Sequence, residues 1–363
     1  MGSILNKPVT EKKVQTFEFE GKSGALVEMQ GWRVSMEDAH VIDVAFLNQP
    51  SVAFFAVYDG HGGSDAAKHC AEHAVEVLHT NFKDCDFEAV TQEEAADLFK
   101  QAYMELDGDM RKKGINSGTT AVCGFITPKR YIIANLGDSR CVLCSHENPT
   151  FSTKDHKPNN PEEKERIMRA EGFVMNNRIN GDLAVSRTLG DFVYKDDSKE
   201  DPNDQAVSCE PDITILDRSD EDNYLLFACD GIWDVFQPED MAPVMKECLQ
   251  SYEKVEEALG RFLDICLDKG SKDNMTVLLV PLKQMYEPDA KMIEGRLKKE
   301  EEERLKEEEE RLKKEEEERQ REEEERKREE EEEERKEEKE EEEKKMEEEQ
   351  SMEVDEVKYF LVC

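Results

Sequence analysis

The chain has 363 residues and a formal net charge of −38, and 38% of its residues are charged. This length accommodates either two domains or one α/β domain of about 250 to 300 residues with an appendage. Proteins that bind phosphate backbones present basic surfaces, so the strong negative charge excludes that class and we expect no nucleic-acid partner.

Polar residues dominate positions 1–22, which we predict to be an irregular N-terminal segment. Over 23–283, apolar strand-like runs alternate with helical periodicity, which predicts one mixed α/β body. The predicted strands cover 52–58, 131–135, 224–229 and 275–280, and the predicted helices cover 64–81, 93–113, 161–171 and 238–269.

A linker over 284–290 leads to a Glu/Lys/Arg tract at 291–350, which holds 32 Glu and 19 Lys or Arg, and a C-terminal peptide follows at 351–363. Blocks of like charge are usually disordered. Here, however, eight acids stand four residues ahead of a base, the favourable orientation on a helix. The three Leu residues of the tract form too short a seam for a coiled coil. We therefore predict a single charged helix of about 90 Å that serves as a spacer or binds a protein partner. The eight acids are Glu300, Glu302, Glu307, Glu309, Glu315, Glu317, Glu322 and Glu331.

The ten Cys residues lie in apolar stretches, and no secretory signal precedes them. We therefore expect reduced thiols in a chain located in the cytoplasm, the nucleus or both. Cys141 and Cys144 have the C-x-x-C spacing, but residues three apart in a strand face opposite sides, so we expect neither a redox nor a zinc role for them. No apolar run reaches 18 residues, so we expect no membrane span.

Four apolar runs are followed or preceded closely by an Asp: Asp59, Asp138, Asp230 and Asp273. Taken singly, each Asp fits an ordinary turn. The ends of neighbouring strands converge, however, and unpaired carboxylates there would repel each other unless a cation lay between them. Because the ligands would all be oxygen atoms, the pattern predicts a hard ion, Mg²⁺ or Mn²⁺.

Arg33 stands close to two acids, Glu37 and Asp38. One interpretation of this grouping is a surface ion pair. The other is a phosphate site, in which the guanidinium clamps a phosphate group while the acids tether metal-bound waters.

Seven motifs occur in a fixed order between residues 33 and 274. They are Arg33-x-x-Met36-Glu37-Asp38, Tyr58-Asp-Gly-His-Gly-Gly63, Gly137-Asp-Ser-Arg140, Asp155-His-Lys-Pro158, Leu183-Ala-Val-Ser-Arg-x-Leu-Gly-Asp191, Cys229-Asp-Gly-Ile-Trp-Asp234 and Ser271-Lys-Asp-Asn274. In order and spacing they resemble the motifs of the metal-dependent (type 2C) serine/threonine protein phosphatases. The resemblance covers about residues 22–282. It implies an α/β (α+β) fold, a four-layer αββα sandwich of two antiparallel sheets flanked by helices, with a binuclear metal centre at one end.

The resemblance also implies a ligand set for two Mg²⁺ or Mn²⁺ ions. Asp59 would bridge both ions. The Gly60 carbonyl and, through water, Glu37 would serve one ion, and Asp230 and Asp273 would serve the other.

Further roles follow from the same resemblance. Arg33 would hold the substrate phosphate, and His61 would protonate the leaving serine or threonine oxygen. The remaining polar residues would lie behind the ligands or form a weaker third metal position; they are Asp38, Asp138, Asp234 and Asn274.

The function that the resemblance implies is hydrolysis of phosphoserine and phosphothreonine in phosphoproteins, by direct attack of a water that two metal ions activate. The alternative is a phosphoprotein-docking scaffold that acts mainly through its charged tail. The complete set of Asp59, Asp230, Asp273 and His61 favours the enzyme, because a docking module has no chemical need for it.

A rival from another class rests on His69-Cys-Ala-Glu72-His73, which matches the inverted zincin motif on a predicted helix. That reading predicts a zinc peptidase. The pattern is short, and the sequence has no third ligand at a suitable spacing.

The opening Met-Gly-x-x-Leu-x-Lys-Pro resembles that of animal alpha- and beta-type members of the phosphatase family, which makes Gly2 a candidate for N-myristoylation. Asn6, however, occupies the position where Ser or Thr is favoured. One acyl chain gives only reversible membrane contact. Apart from that contact we expect a monomer with phosphoprotein substrates.

Overall fold

The computed structural model describes residues 4–146, 148–196, 198–199, 201–283 and 288–360. The chain divides into two compact units, Met1–Ile293 and Glu294–Cys363. The strands are β1 Ile4–Phe19, β2 Lys22–Arg33, β3 Ala39–Asp43, β4 Ala53–Tyr58, β5 Gly60–His61, β6 Gly118–Thr119, β7 Ala121–Ile126, β8 Arg130–Leu136, β9 Arg140–Ser145, β10 Asn148–Ser152, β11 Val174–Met175, β12 Arg178–Ile179, β13 Leu189–Gly190, β14 Asp212–Asp217, β15 Asp222–Ala228 and β16 Met275–Pro281. The α-helices are α1 Asp65–Phe82, α2 Gln92–Lys113, α3 Pro161–Arg169, α4 Asp230–Trp233, α5 Pro238–Ser251, α6 Val255–Asp268 and α7 Ala290–Phe360, and short 3₁₀ turns lie at Phe46–Asn48, Phe192–Tyr194 and Pro202–Asp204.

Two antiparallel sheets form the centre of the first unit. The first sheet has the order β1-β2-β16-β15-β9-β10, and the second has the order β14-β8-β7-β4-β3. A hairpin of β11 and β12 and a small sheet of order β13-β6-β5 complete the strands. The small sheet matters for function because it carries His61.

The two sheets pack face to face, and helices cover their outer faces. Phe55 and Phe227 belong to the core between the sheets. Phe125 belongs to the core between the second sheet and helices α1 and α2, and Phe262 to the core between the first sheet and helices α5 and α6. Both faces of the central strands are therefore buried, which explains why these strands read as continuous apolar runs. The predicted four-layer αββα sandwich is confirmed.

Strand β9 shows how the alternation of side chains divides residues between layers. Cys141 lies in the core between the sheets, whereas Cys144 lies in the core under α5 and α6. The two thiols therefore face opposite sides of one strand, as expected from their spacing. Burial raises the pKa of Cys144 to about 11, so this thiol stays protonated at neutral pH.

The prediction of an irregular segment over 1–22 was wrong for the described residues. β1 forms an antiparallel hairpin with β2 through Glu20 and Gly21, which both have positive φ (50° and 72°), the geometry of tight hairpin turns. Phe17 and Phe19 enter the core between the sheets. Most other β1 residues are exposed because β1 is an edge strand, and this gives the segment its polar composition.

The prediction of one helix over 238–269 was also wrong. The chain forms α5 and α6, and Tyr252 between them has extended backbone (φ −130°, ψ 145°). One helix of that length would extend about 48 Å, longer than a typical strand of a sheet. The break lets both helices bury an apolar face against the first sheet, with Met245 and Phe262 in the same core.

Helix α7 is 71 residues long and confirms the predicted C-terminal helix. It begins within the predicted linker and continues through the predicted C-terminal peptide to Phe360, whereas 284–287 and 361–363 lie outside the described residues. Among its described side chains, which do not include that of Glu307, the ion pairs differ from the predicted ones, because an exposed side chain has several possible partners of nearly equal energy. The ion pairs of the described side chains are Arg296–Glu300, Lys299–Glu303, Arg311–Glu315, Arg326–Glu330, Glu323–Lys327 and Glu341–Lys345.

Within the described ranges, no helix is both long and apolar enough to span a membrane.

Candidate active site

The four Asp residues at strand ends come together at one end of the sandwich. Asp59 follows β4 and Asp138 follows β8 in the second sheet, whereas Asp230 follows β15 and Asp273 precedes β16 in the first sheet. The amide of Asp230 donates to Oδ2 of Asp59 at 3.4 Å, which joins the two sheets. The structure therefore assembles the acidic cluster that the sequence predicted.

Electrostatic repulsion within this cluster is strong. Burial raises the pKa of Asp59 well above its ordinary value, and the negative charges of Asp230, Asp38 and Asp273 raise it further. The pKa of Asp230 is raised well above its ordinary value by burial and then by Asp138. A divalent cation would relieve this repulsion and keep both carboxylates ionised.

Asp38 provides a test of whether a metal ion fits. Its Oδ2 accepts a hydrogen bond from the Thr276 hydroxyl at 2.6 Å, whereas its buried Oδ1 has no hydrogen-bond partner among the described residues. Burial raises the pKa of Asp38 to about 7. Ligand atoms of Asp38, Asp59 and Cys229 lie within 4.8 Å of one another. Burial raises the pKa of the Cys229 thiol well above its ordinary value, so the usable donors are oxygens, which fit Mg²⁺ or Mn²⁺.

Asn274 fixes the loop that precedes β3. Its Nδ2 donates to the carbonyls of Gln30 and Ser35, both at 2.9 Å, and its Oδ1 accepts from the amide of Glu37 at 2.9 Å. The side chain thus ties the loop that follows Arg33 and carries Glu37 to the start of β16. Asn274 acts as a scaffold behind the cluster.

Gly60 lies against the same loop. A Cβ atom at this position would lie 2.3 Å from the carbonyl oxygen of Glu37. Only glycine permits so close an approach. The backbones of two predicted metal-binding residues therefore touch.

Arg33 lies beside the cluster and is partly exposed. Its Nη2 donates to Oδ2 of Asp273. Burial lowers the pKa of Arg33, but the charges of Asp273, Asp230 and Asp59 outweigh that effect and raise it above its ordinary value. The guanidinium is therefore held as a cation next to the carboxylates.

His61 lies in β5, two residues after Asp59. Its Nε2 is 2.6 Å from Oδ2 of Asp191. Burial lowers the pKa of His61, but the hydrogen bond to Asp191 and its charge raise it above the ordinary value. Asp191 ends the motif Leu183-Ala-Val-Ser-Arg-x-Leu-Gly-Asp191 but was not among the predicted site residues, although an Asp in an ordered motif is a signal for such a role.

The predicted third metal position contains a lysine ammonium in this structure. Lys157 donates to Oδ2 of Asp138. The amide of Asp234 donates to the carbonyl of Asp230 at 2.7 Å, and burial raises the pKa of the Asp234 carboxyl. Lys157 belongs to the Asp155-His-Lys-Pro158 motif, but no sequence pattern predicts its contact with Asp138.

The residues of the zinc-peptidase interpretation lie on α1 and contact side chains of α2. His69 Nε2 is 3.2 Å from Asp109 Oδ2, and His73 Nε2 is 3.3 Å from Lys113 Nζ. Among the described side chains these residues do not form a three-ligand group. The structure therefore gives the zinc-peptidase interpretation no support.

An acidic, metal-compatible cluster at one end of an αββα sandwich, with a cationic Arg and a His beside it, defines a metal-dependent phosphatase. The chain belongs to the protein phosphatase 2C family, whose family model matches residues 23–275. It is a serine/threonine protein phosphatase that uses Mg²⁺ or Mn²⁺, and the scaffold alternative is not favoured.

Individual relatives agree with this assignment. The chain is 42% identical to human "Protein phosphatase 1A" over 313 residues, which cover 82% of this chain and 81% of that protein. It is 42% identical to mouse "Protein phosphatase 1B" over 293 residues, 77% of this chain and 75% of that protein. Among solved structures, a phosphatase from a pathogenic strain of Toxoplasma gondii matches 74% of this chain and 95% of its own, with 27% identity and a TM-score of 0.65.

Proposed function

We propose that the acidic cluster, Arg33 and His61 together hydrolyse phosphoserine and phosphothreonine in proteins. The observation that carries this proposal is the contact between the two sheets at 3.4 Å, through the Asp230 amide and the Asp59 carboxylate. It places acids from both sheets beside a cationic guanidinium and an imidazole.

Five residues of the chain would hold two divalent ions. Asp59 would bridge them, the Gly60 carbonyl and Glu37 would serve one, and Asp230 and Asp273 would serve the other. When bound, Mg²⁺ or Mn²⁺ ions lower the pKa of water and neutralise phosphate charge. Asp138 and Asp234 would hold a weaker third ion only if Lys157 moved away.

Arg33 and His61 act on the substrate itself. Arg33 uses one N–H group on Asp273, which leaves others on the planar guanidinium to contact phosphate oxygens. His61 as an imidazolium gives its proton to the departing serine or threonine oxygen, which is a poor leaving group without it. Asp38 and Asn274 keep the surrounding loop and carboxylates in place.

The decisive variant is Asp59→Asn, which replaces a carboxylate with two oxygens that share a negative charge by a neutral amide with one acceptor oxygen, so the side chain no longer offsets two dications. We expect hydrolysis of a phosphothreonine peptide to fall to background in this variant. The wild type should lose turnover in EDTA and regain it with Mn²⁺ or Mg²⁺. Asp220→Asn, at an exposed position, is the matched control and should keep full activity. Turnover in EDTA, or an active Asp59→Asn variant, would contradict the assignment.

We propose that α7 is a spacer or an arm for a protein partner, because its described side chains are almost all exposed and strongly acidic. We also propose a monomer in the cytoplasm, the nucleus or both, with membrane contact only if Gly2 is myristoylated. Gly2 lies outside the described residues. Light scattering, N-terminal mass spectrometry and imaging of the tagged protein test these points.

A further inference from the structure

The residue that holds His61 is itself held in an unusual way. Asp191 is buried and has left-handed backbone (φ 52°, ψ 43°), which is unfavourable for a residue with a side chain. Its Oδ2, the oxygen 2.6 Å from His61 Nε2, also accepts a hydrogen bond from the Thr188 hydroxyl at 2.8 Å. Such backbone persists only where the surroundings enforce it.

The small sheet brings Asp191 and His61 together. Gly118 of β6 pairs with His61 of β5 on one side and with Gly190 of β13 on the other. A Cβ atom on Gly118 would lie 2.1 Å from Oδ2 of Asp191. The amide of Asp191 also donates to the carbonyl of Ser117 at 3.2 Å. The carboxylate therefore packs directly over a glycine backbone.

A buried ion pair fixes the other side of this segment. Asp107 of α2 accepts from the Gly190 amide at 2.7 Å and from Lys195 Nζ at 2.7 Å through the same oxygen, Oδ1. Lys195 also donates to the Thr188 carbonyl at 3.0 Å. Both side chains are largely buried, with exposed fractions of 11% for Asp107 and 3% for Lys195. Residues 188–190 are thus clamped at two backbone groups immediately before Asp191.

Stability alone does not explain this ion pair. The desolvation of two charges costs free energy, and their mutual attraction often does not offset that cost. A buried ion pair is therefore weak evidence for a stabilising role. Here the pair bonds to backbone on both sides of Leu189, next to the residue that contacts the predicted proton donor. A positioning role explains that placement.

We infer that Asp191 is the positioning residue for His61 and that Asp107 and Lys195 clamp the backbone that presents it. This inference rests on the proposed role of His61 as the proton donor. With the Nε2 proton held on Asp191, the imidazolium has Nδ1–H left to donate. The proton passes from Nδ1 to the leaving oxygen as the P–O bond breaks, and neutral imidazole with its Nε2–H still on Asp191 remains.

The test compares two substrates whose leaving groups differ in their need for a proton. A serine or threonine alkoxide requires protonation, whereas nitrophenolate leaves without it. Asp191→Ala should reduce kcat on a phosphothreonine peptide by about 10-fold or more, since general acid catalysis is worth about 10²- to 10⁴-fold, and should change kcat on nitrophenyl phosphate by less than about 2-fold. Asp191→Asn keeps an acceptor oxygen and tolerates the left-handed backbone, so it should recover part of the loss.

The clamp is tested with two double variants. Asp107→Asn with Lys195→Met removes both charges and the hydrogen bond to the Thr188 carbonyl but keeps an oxygen for the Gly190 amide, so it should show only a partial selective loss on the peptide. Asp107→Leu with Lys195→Met removes that oxygen and should show the selective loss. Asp264→Asn, which breaks an ion pair at 2.7 Å with Lys12 on another face, controls for loss of an ion pair in general. Thermal unfolding of each variant identifies any that fail to fold.

His61→Gln, assayed in parallel, separates the possible failures. If His61→Gln loses mainly peptide hydrolysis but the Asp191 variants lose both activities equally, the inference is overturned and the proposed role of His61 stands. If His61→Gln itself loses both equally, the proposed role of His61 is wrong and the inference falls with it. The inference is supported if His61→Gln and the Asp191 variants all lose mainly peptide hydrolysis, and if the folded double variant Asp107→Leu with Lys195→Met shows the same selective loss.

Discussion

Glu163 shows, at the scale of one residue, how a buried carboxylate is kept ionised. It accepts hydrogen bonds from Arg166 at 2.6 Å, Ser186 at 2.7 Å and Arg187 at 2.6 Å. Burial alone would raise the pKa of Glu163, but the two guanidinium groups outweigh it and lower the pKa to about 2. Glu163 thereby joins α3 to the segment that leads to β13.

This depressed pKa predicts a particular dependence of stability on pH. Glu163 titrates near 4.5 in the unfolded chain and near 2 in the folded chain, so its stabilisation is fully present above about pH 4.5 and is lost as the pH falls towards 2. Glu163→Gln should therefore lower the free energy of unfolding at pH 7 by about 3 kcal/mol and flatten its decline between about pH 5 and 2. Urea unfolding at a series of pH values measures both effects.

Glu162→Gln is the matched control, because Glu162 is adjacent but exposed. It should change the free energy of unfolding by no more than about 0.5 kcal/mol at any pH in the series. Parallel stability curves for wild type and Glu163→Gln would show that the ion pairs do not stabilise the fold.

Single residues also show what the sequence could and could not reveal about the site. Asp59, Asp230 and Asp273 could be predicted because each stands at the end of an apolar strand, and strand ends meet. The partnership of His61 with Asp191 could not, since the two are 130 residues apart and meet only through the small sheet. No local pattern encodes a contact of that kind.

At the scale of elements, the clearest prediction concerns β1. Phe19 is 2% exposed and its ring lies 6.1 Å from that of Phe55 in the core between the sheets. Phe19→Ala should lower the free energy of unfolding by about 3 to 4 kcal/mol because it leaves a cavity. Val14→Ala, at a position of the same strand that is 51% exposed, should change it by less than about 0.5 kcal/mol. Denaturant unfolding measures both, and equal effects would mean that β1 does not contribute to the core.

The polar composition of β1 resembles that of an irregular segment for a physical reason. An edge strand with one solvated side needs few apolar residues, so composition resembles that of a loop. The alternation Phe17-Glu-Phe19 followed by Glu20-Gly21 was the signal that could have identified a hairpin. By contrast, the buried central strands are apolar throughout, and their positions were predicted to within a few residues.

Helix α7 leads to a second prediction at this scale. The isolated peptide 291–350 should be strongly helical by circular dichroism, because many acid–base pairs at i,i+4 each contribute about 0.2 to 0.5 kcal/mol. Its helicity should not depend on concentration and should decrease at high salt, which screens the pairs. A peptide of the same composition, rearranged to separate acids from bases, should be much less helical. A random-coil spectrum for the native order, or helicity that rises with concentration, would contradict a single helix.

At the scale of the whole molecule, the two compact units predict separable properties. A chain of residues 1–293 contains every residue assigned to the site. Its kcat/KM for a small phosphopeptide and the Tm of its main unfolding transition should match those of the full chain, because α7 supplies no assigned ligand. Binding of a Lys/Arg-rich probe peptide, measured by calorimetry at low salt, should weaken but persist, because residues 1–293 still hold 53 acidic and 31 basic residues. A large loss of catalysis on truncation would show that α7 supports the active site.

The prediction of a four-layer architecture rested on the resemblance of the ordered motifs and not on the periodicity of apolar residues. Apolar runs indicate that strands are buried, but they do not say whether a second sheet or a layer of helices covers each face. The sequence pattern also does not reveal the order of the strands in a sheet, because β16 pairs with β2, which lies about 250 residues earlier. Such pairing between distant segments depends on the topology of the whole chain, which no local sequence pattern reveals.

The position of β16 has a consequence for how the protein is made. β16 lies between β2 and β15, so the first sheet stays open until the last strand of the body has left the ribosome. Asp273, just before β16, can join Asp59 only after that event. The 71 residues of α7 are synthesised after β16, which takes about 4 to 14 s at about 5 to 20 residues per second. The nascent chain therefore has no complete metal cluster during most of its translation, and the cluster can close while the helix is still being added.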